Sequence, residues 1–352
     1  MNCATEENDA TVASLKVGDR LLDALGEDDT HMFSLPEQKG IVSLIDEVVE
    51  LINSFRAENK IARVLDDNCV VDFLFPSPTG KEGRKWLQVT TQCTLDFLRW
   101  CKEIVVDQQF VPYHILHNFV LDAAQIEATM HVEYLGAAFA SRYYHRSHKW
   151  IPIDSFGDTF RWFCFGTVPR RLTSEFMSIF EIRQTMESKF KTLLGVGNID
   201  DNVRIAHNLI PNILKATLTT DNFSPTTGVT LTQIMHVYDW TDISIHNMST
   251  DYVWLVWKAL MVCNAFFQPV PRNNGMISIH DSFQLPDTLL GKIRRDFVDH
   301  VCRANNNLSQ FAITWGKPEA AIVDANGDWV DINSKPEHEV VNNPYYSPKD
   351  VK

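Results

Sequence analysis

The sequence predicts a mainly α-helical chain, a multi-helix bundle with a small C-terminal β-hairpin. Three observations carry this. Apolar residues recur three and four positions apart through most of the 352 residues. Helix start and stop signals flank several of those stretches. Strict alternation of apolar and polar residues is concentrated after residue 311.

The elements follow in chain order. Residues 1–33 are acidic and polar, with Leu21, Leu22 and Leu25 as an isolated apolar cluster, and read as a mobile arm with one short helix. Ser34 and Glu37 form a capping box with Pro36 in the first turn, so a helix begins there. Ile41, Leu44, Ile45, Val48, Ile52 and Phe55 continue it toward Asn59. Residues 69–75 (CVVDFLF) read as a short buried strand, and 76–83 as a Pro- and Gly-rich loop. Trp86, Val89, Cys93, Phe97, Trp100, Cys101 and Ile104 mark a second helix. A long one follows from His114 to His145, apolar on nearly every side in its middle.

Breaks are expected at 150–152 and 168–169. Residues 173–194 form a helix closed by Gly195, and 200–218 another, kinked or split by Pro211. Leu231, Ile234, Met235, Tyr238 and Ile245 define the next, after a loop at 221–228. Residues 252–267 (YVWLVWKALMVCNAFF) are too short to span a bilayer and carry Lys258 and Asn264, so they read as a core helix. Residues 285–305 give one more helix. FAITW, AAIVD and DWVDI alternate as strands, with Asn326-Gly327 as a tight turn and a loose tail after them. The expected organisation is an arm at 1–33, helical halves at 34–168 and 169–310, and a hairpin with tail at 311–352.

Composition narrows function. The chain is 45% hydrophobic and 22% charged, so most of it can bury a core. Its net charge of −13 disfavours broad binding to nucleic acid or anionic membrane and confines any such contact to a local basic patch. The seven Cys are scattered without a CxxC pair, and the opening MNCATEENDA lacks a signal-peptide pattern. Reduced thiols in the cytoplasm, with no membrane association, are expected. There is no P-loop, no GxGxxG after a strand, no GxSxG and no HExxH. No cofactor is expected.

Three clusters can carry chemistry. Residues 142–150 (RYYHRSHKW) interleave Arg142, Arg146, Lys149 and His148 with Tyr143, Tyr144 and Trp150. Guanidinium groups grip phosphates and aromatic faces stack on bases, so RNA or a nucleotide is the expected partner. The same residues also suit a solvated helix end, where cations meet the negative dipole. In the second cluster, residues 237–246 (VYDWTDISIH) set Tyr238, Trp240, Thr241 and His246 before the apolar helix at 252–267. Arg183 and Glu187 stand one turn apart on the helix at 173–194. The third is Glu127 and His131, four apart, with His114, His117 and Asp122 upstream. A carboxylate–histidine metal site is conceivable there, but the paired Glu-x-x-His of di-iron bundles is absent and no metal is expected.

The second cluster resembles HEPN-type domains over about 173–267. The resemblance implies a four-helix bundle of the kind found in RNA-cleaving toxins and defence proteins, or a non-catalytic relative. Members of that family carry an Arg, four to six intervening residues and then a His on one helix. No Arg stands so before His246, but Arg142 with His148, and Arg294 and Arg295 with His300, have the spacing. In such a pair the imidazole would move a proton and the guanidinium would stabilise phosphorane charge. A buried network of Thr241, Asp242 and His246 is the alternative for the second cluster. The catalytic candidates are therefore His148, His246, His300 and Arg295. The competing readings are a non-enzymatic helical module that binds a protein partner, and a metal-dependent bundle enzyme. An oligomer is compatible with each.

Overall fold

The computed structural model describes residues 16–26, 32–61, 64–75, 83–130, 134–136, 172–218, 229–247, 251–267, 270–271, 277–278, 284–326, 328, 330 and 336–347. Among these it is mainly α-helical, as the periodicity implies. The described residues form ten helices: α1 (Val17–Leu25), α2 (Leu35–Glu58), α3 (Asp67–Leu74), α4 (Gly83–Gln108), α5 (Tyr113–Met130), α6 (Leu172–Leu194), α7 (Leu209–Thr217), α8 (Leu231–His246), α9 (Val253–Phe267) and α10 (Asp287–Ala304). The strands are β1 (Val196–Ile199), β2 (Val270–Pro271), β3 (Ile277–Ser278), β4 (Gln284–Pro286), β5 (Gln310–Trp315), β6 (Ala321–Val323) and β7 (Glu337–Asn342). No helix among the described residues is long and apolar enough to cross a membrane. The chain forms two compact units, residues 1–179 with 243–259, and 180–242 with 260–352. Residues 243–259, expected within a C-terminal bundle, thus belong with the N-terminal half.

In the first unit α1 is docked, where the sequence suggests a mobile arm. Val17, Leu21, Leu22 and Leu25 are buried, and α1 packs on α2 and α5. The start of α2 is capped as expected: the Ser34 N–H donates to Glu37 Oε2 at 2.6 Å. Its Ile41, Ile45, Val48, Ile52 and Phe55 stripe is buried, and the helix packs on α4. Residues 67–74 are helical rather than extended. The Asp66 carboxylate accepts from the Cys69 N–H at 3.0 Å, and Val70, Val71 and Leu74 bury one face at helical spacing. A short apolar run does not separate strand from helix by itself; the cap decides.

Helix α5 ends earlier than its apolar run suggests. Tyr134, Leu135 and Gly136 lie outside helix, and Glu127 turns back to accept from the Tyr134 N–H at 3.1 Å and from the Leu135 N–H. Gly136 has φ +71°, and a side chain there would collide with Lys16. Helix α9 is a core helix: Trp254, Leu255 and Ala259 are fully buried. Its first N–H, on Val253, donates to Asp122 Oδ2 at 2.8 Å, and Trp254 meets the Phe119 ring edge-on at 6.1 Å.

In the second unit α6 ends at Gly195, whose φ of +68° suits glycine. The expected helix at 200–218 is reduced to α7, with Pro211 in its first turn, where a missing N–H costs nothing. Upstream, the Arg204 N–H and C=O are both engaged by the Asn305 side-chain amide, at 2.8 Å each. The main sheet has the order β1-β5-β7, with β5 central and antiparallel to both neighbours. Phe311, Ile313 and Trp315 of β5 are buried, the alternation that FAITW suggests. β6 pairs in parallel with β4. Beyond the turn at Asn326, Val330 N–H donates to Ile322 O at 2.9 Å. Residues 337–342, whose EHEVVN carries little apolar signal, form β7.

Candidate nucleic-acid interface

Helix α10 buries Leu290, Ile293, Phe297, Val301 and Cys302. At about 100° per residue, Lys292, Arg295, Asp296, Asp299, His300 and Arg303 then share the opposite arc. Three cations face two carboxylates there, so this arc is positive in a chain of net charge −13. Arg294 lies off the arc: it donates to Leu194 O at 2.8 Å, sits 4.8 Å above the Trp315 ring, and its burial lowers its pKa. Arg295 is exposed, lies beside Gly291 and has no carboxylate partner among the described residues. His300 is exposed, and its Nδ1 lies 2.7 Å from Asp296 O. A carbonyl only accepts, so Nδ1 carries the proton and Nε2 is the basic nitrogen. Arg295 and His300 stand about 140° and 7.5 Å apart on the helix. That places them at opposite edges of the arc, suited to successive phosphates more than to one.

The C-terminal end of α10 is closed by the segment after β7. Asn343 is buried, and its amide donates to Cys302 O at 3.0 Å and Asn305 O at 2.8 Å, adding to the bonds that these carbonyls accept from the Asn305 and Leu308 N–H groups. The Asn343 Oδ1 accepts from Tyr345 N–H at 2.9 Å, and Tyr346 N–H returns to Asn343 O at 3.2 Å, so residues 343–346 form a tight turn. The Tyr345 hydroxyl donates to Asp299 Oδ1 at 2.7 Å. The Arg303 guanidinium lies 5.0 Å from the Tyr345 ring centre and pairs with Asp299 at 3.0 Å. Tyr345 first, and Asp299 second, hold the Arg303 pKa above its ordinary value. Tyr345 and Tyr346 remain 40% and 44% exposed. These tyrosines escaped the sequence reading because nothing before Asn343 announces a strand; the tight turn at Asn343-Pro344 was the available signal.

The second cluster assembles a different site. Arg183 of α6 donates through Nε to Glu187 at 2.6 Å and pairs with Asp242 of α8 at 3.1 Å. Its guanidinium lies 3.7 Å from the Tyr238 ring centre, and Nη1 donates to Tyr238 O at 3.3 Å. The Tyr238 hydroxyl donates to Glu187 at 3.2 Å; burial foremost raises its pKa, so it stays a phenol. The sequence-named residues Arg183, Glu187 and Tyr238 therefore do meet. They form a closed network around a buried arginine. Thr241 donates to Tyr238 O at 2.7 Å, and His246 is exposed at the end of α8.

Arg142, Tyr143, Tyr144, Arg146, His148 and Lys149 lie outside the described residues, as does His131. Glu127 and Asp122 serve backbone N–H groups, as above. No group of three metal-ligating side chains gathers among the described residues. Burial pushes the thiols of Cys93 and Cys263 up to about 12, which makes them poor nucleophiles. No family model, curated protein or solved structure matches the chain.

Proposed function

We propose that this protein binds RNA or a nucleotide polyanion through the exposed arc of α10 and the tyrosines at its C-terminal end. The observation that supports this reading is one positive, aromatic-bordered surface on an acidic chain: Lys292, Arg295, His300 and Arg303 beside Tyr345 and Tyr346. Cations contact phosphates, and exposed rings offer faces to bases. The acidic remainder repels other stretches of the polyanion and restricts contact to this face. The cluster at 142–149 is a second element of the same reading, since it repeats the mixture of arginine, histidine and tyrosine. Cleavage is an extension of it. His300 presents a basic Nε2 oriented by the Asp296 carbonyl, which suits it to take a ribose hydroxyl proton.

Fluorescence anisotropy of a labelled single-stranded RNA at low salt tests the proposal. Binding by the wild type, weakened both in the Lys292→Ala/Arg295→Ala/Arg303→Ala protein and in the Arg142→Ala/Arg146→Ala protein, is expected. Absence of binding by the folded wild type would overturn it. A protein-docking module is the second reading. The Gln38 amide donates to Phe33 O at 3.0 Å and Gln109 O at 3.2 Å, setting the start of α2 beside the end of α4. The exposed Met32, Leu35, Val106 and Phe110 accompany those ends.

A further inference from the structure

Resting on that reading, we infer that Tyr345 is a preorganised stacking platform, and that the nucleic acid it selects is single-stranded. Three contacts hold Tyr345 before any ligand arrives. Its backbone N–H is taken by Asn343 Oδ1 at 2.9 Å, and its hydroxyl by Asp299 at 2.7 Å. The Arg303 guanidinium covers one ring face at 5.0 Å. The turn itself is anchored because Asn343 is buried on the last carbonyls of α10 and Ser347 N–H donates to Asn306 O at 2.8 Å. A side chain fixed in this way has little rotamer entropy left to lose on binding. Yet Tyr345 keeps 40% of its surface exposed.

A ring that faces a cation and keeps 40% of its surface exposed matches an unpaired base. The base stacks on the exposed ring, and Arg303 can share its charge between Asp299 and an adjacent phosphate. A duplex offers no such base face along its length, because each base is already stacked and paired. Asp299 has two roles in this arrangement. It locks the ring, and it limits the net attraction that the arc exerts on phosphate alone, so stacking contributes a larger share of selectivity.

The test uses the full chain, single-stranded RNA carrying 2-aminopurine, the matching duplex, and heparin as a polyanion without bases. The expected result is quenching of the 2-aminopurine on binding, with single strands bound more tightly than duplex. Tyr345→Phe retains the quenching. Tyr345→Ala weakens binding by roughly 5- to 150-fold, the range that one lost base stack implies. Tyr345→Leu, which keeps apolar bulk beside Arg303, loses quenching to the same degree at an unchanged melting temperature. Heparin binding is unaffected by any Tyr345 variant. Tight single-strand binding that Tyr345→Ala and Tyr345→Leu leave intact, or equal affinity for duplex, would overturn the platform while leaving the binding surface in place. Failure of the wild type to bind either RNA would instead remove the proposed function on which the platform rests.

Discussion

Replacing Asn343 with aspartate separates a structural clamp from a passive tail. The Asn343 amide nitrogen donates to Cys302 O and Asn305 O, at 3.0 and 2.8 Å, while its oxygen accepts from Tyr345 N–H at 2.9 Å. The side chain and both recipient residues are buried. Asn343→Ala deletes three hydrogen bonds at about 1 kcal/mol net each, so a loss of about 2–4 kcal/mol is expected. Asn343→Asp is nearly isosteric and keeps the oxygen for Tyr345. It nevertheless turns a donor into a carboxylate facing two carbonyls at the negative end of the α10 dipole. It should therefore cost at least as much as alanine. For a unit of this size about 2–4 °C is lost per kcal/mol, so calorimetry should show the transition falling by roughly 5–15 °C in both variants. An aspartate variant that melts like the wild type would refute the clamp geometry and, with it, the rigid placement of Tyr345.

Other expectations follow from the same physical reasoning. Arg183→Ala should destabilise by about 2–3 kcal/mol: buried pairs broken on one side cost about 3–5, discounted because the Asp242 side chain is 46% exposed; urea unfolding would measure it. Trp254→Ala should cost about 3–5 kcal/mol, since the residue is fully buried against Phe119, and an unchanged urea midpoint would show that α9 is not a core helix. Burial foremost raises the Glu127 pKa above its ordinary carboxylate value. A raised acid is most stabilising when protonated, so stability falls as pH climbs from the ordinary carboxylate range through the folded pKa. Glu127→Gln should flatten that slope and raise the neutral-pH melting temperature, while leaving acidic melts alike.

The legible parts of the fold are those where local signals agree. The Ser34–Glu37 box with its apolar stripe, and Gly195 after α6, state their elements without help from the rest of the chain. Where one polar side chain decides the outcome, the apolar pattern misled. The apolar run at 69–75 is helical because Asp66 caps it, and α5 stops where Glu127 draws the backbone away. The apolar pattern shows three segments, FAITW among them, but not their pairing. Partners as distant as β1 and β4 depend on the assembled unit. The site divides in the same way. His300 and Arg295 were visible through spacing alone, whereas Tyr345 depends on a turn that only Asn343 and the end of α10 define. The resemblance set Arg183 and Glu187 one turn apart on one helix, but neither their contact with Tyr238 nor the pairing with Asp242 around a buried guanidinium was legible.

The salt dependence of RNA binding tests the proposed surface most directly. Single-strand affinity falls with a log–log slope of about −0.7 per neutralised phosphate. Lys292, Arg295 and Arg303 together should then contribute a slope of about −2, or roughly 20-fold between 50 and 200 mM salt. Anisotropy titrations across that range should give a slope at least this steep for the wild type, and one flatter by about 2 when the three are replaced by alanine. Equal slopes for both proteins would place the phosphate contacts elsewhere and contradict the assignment of α10.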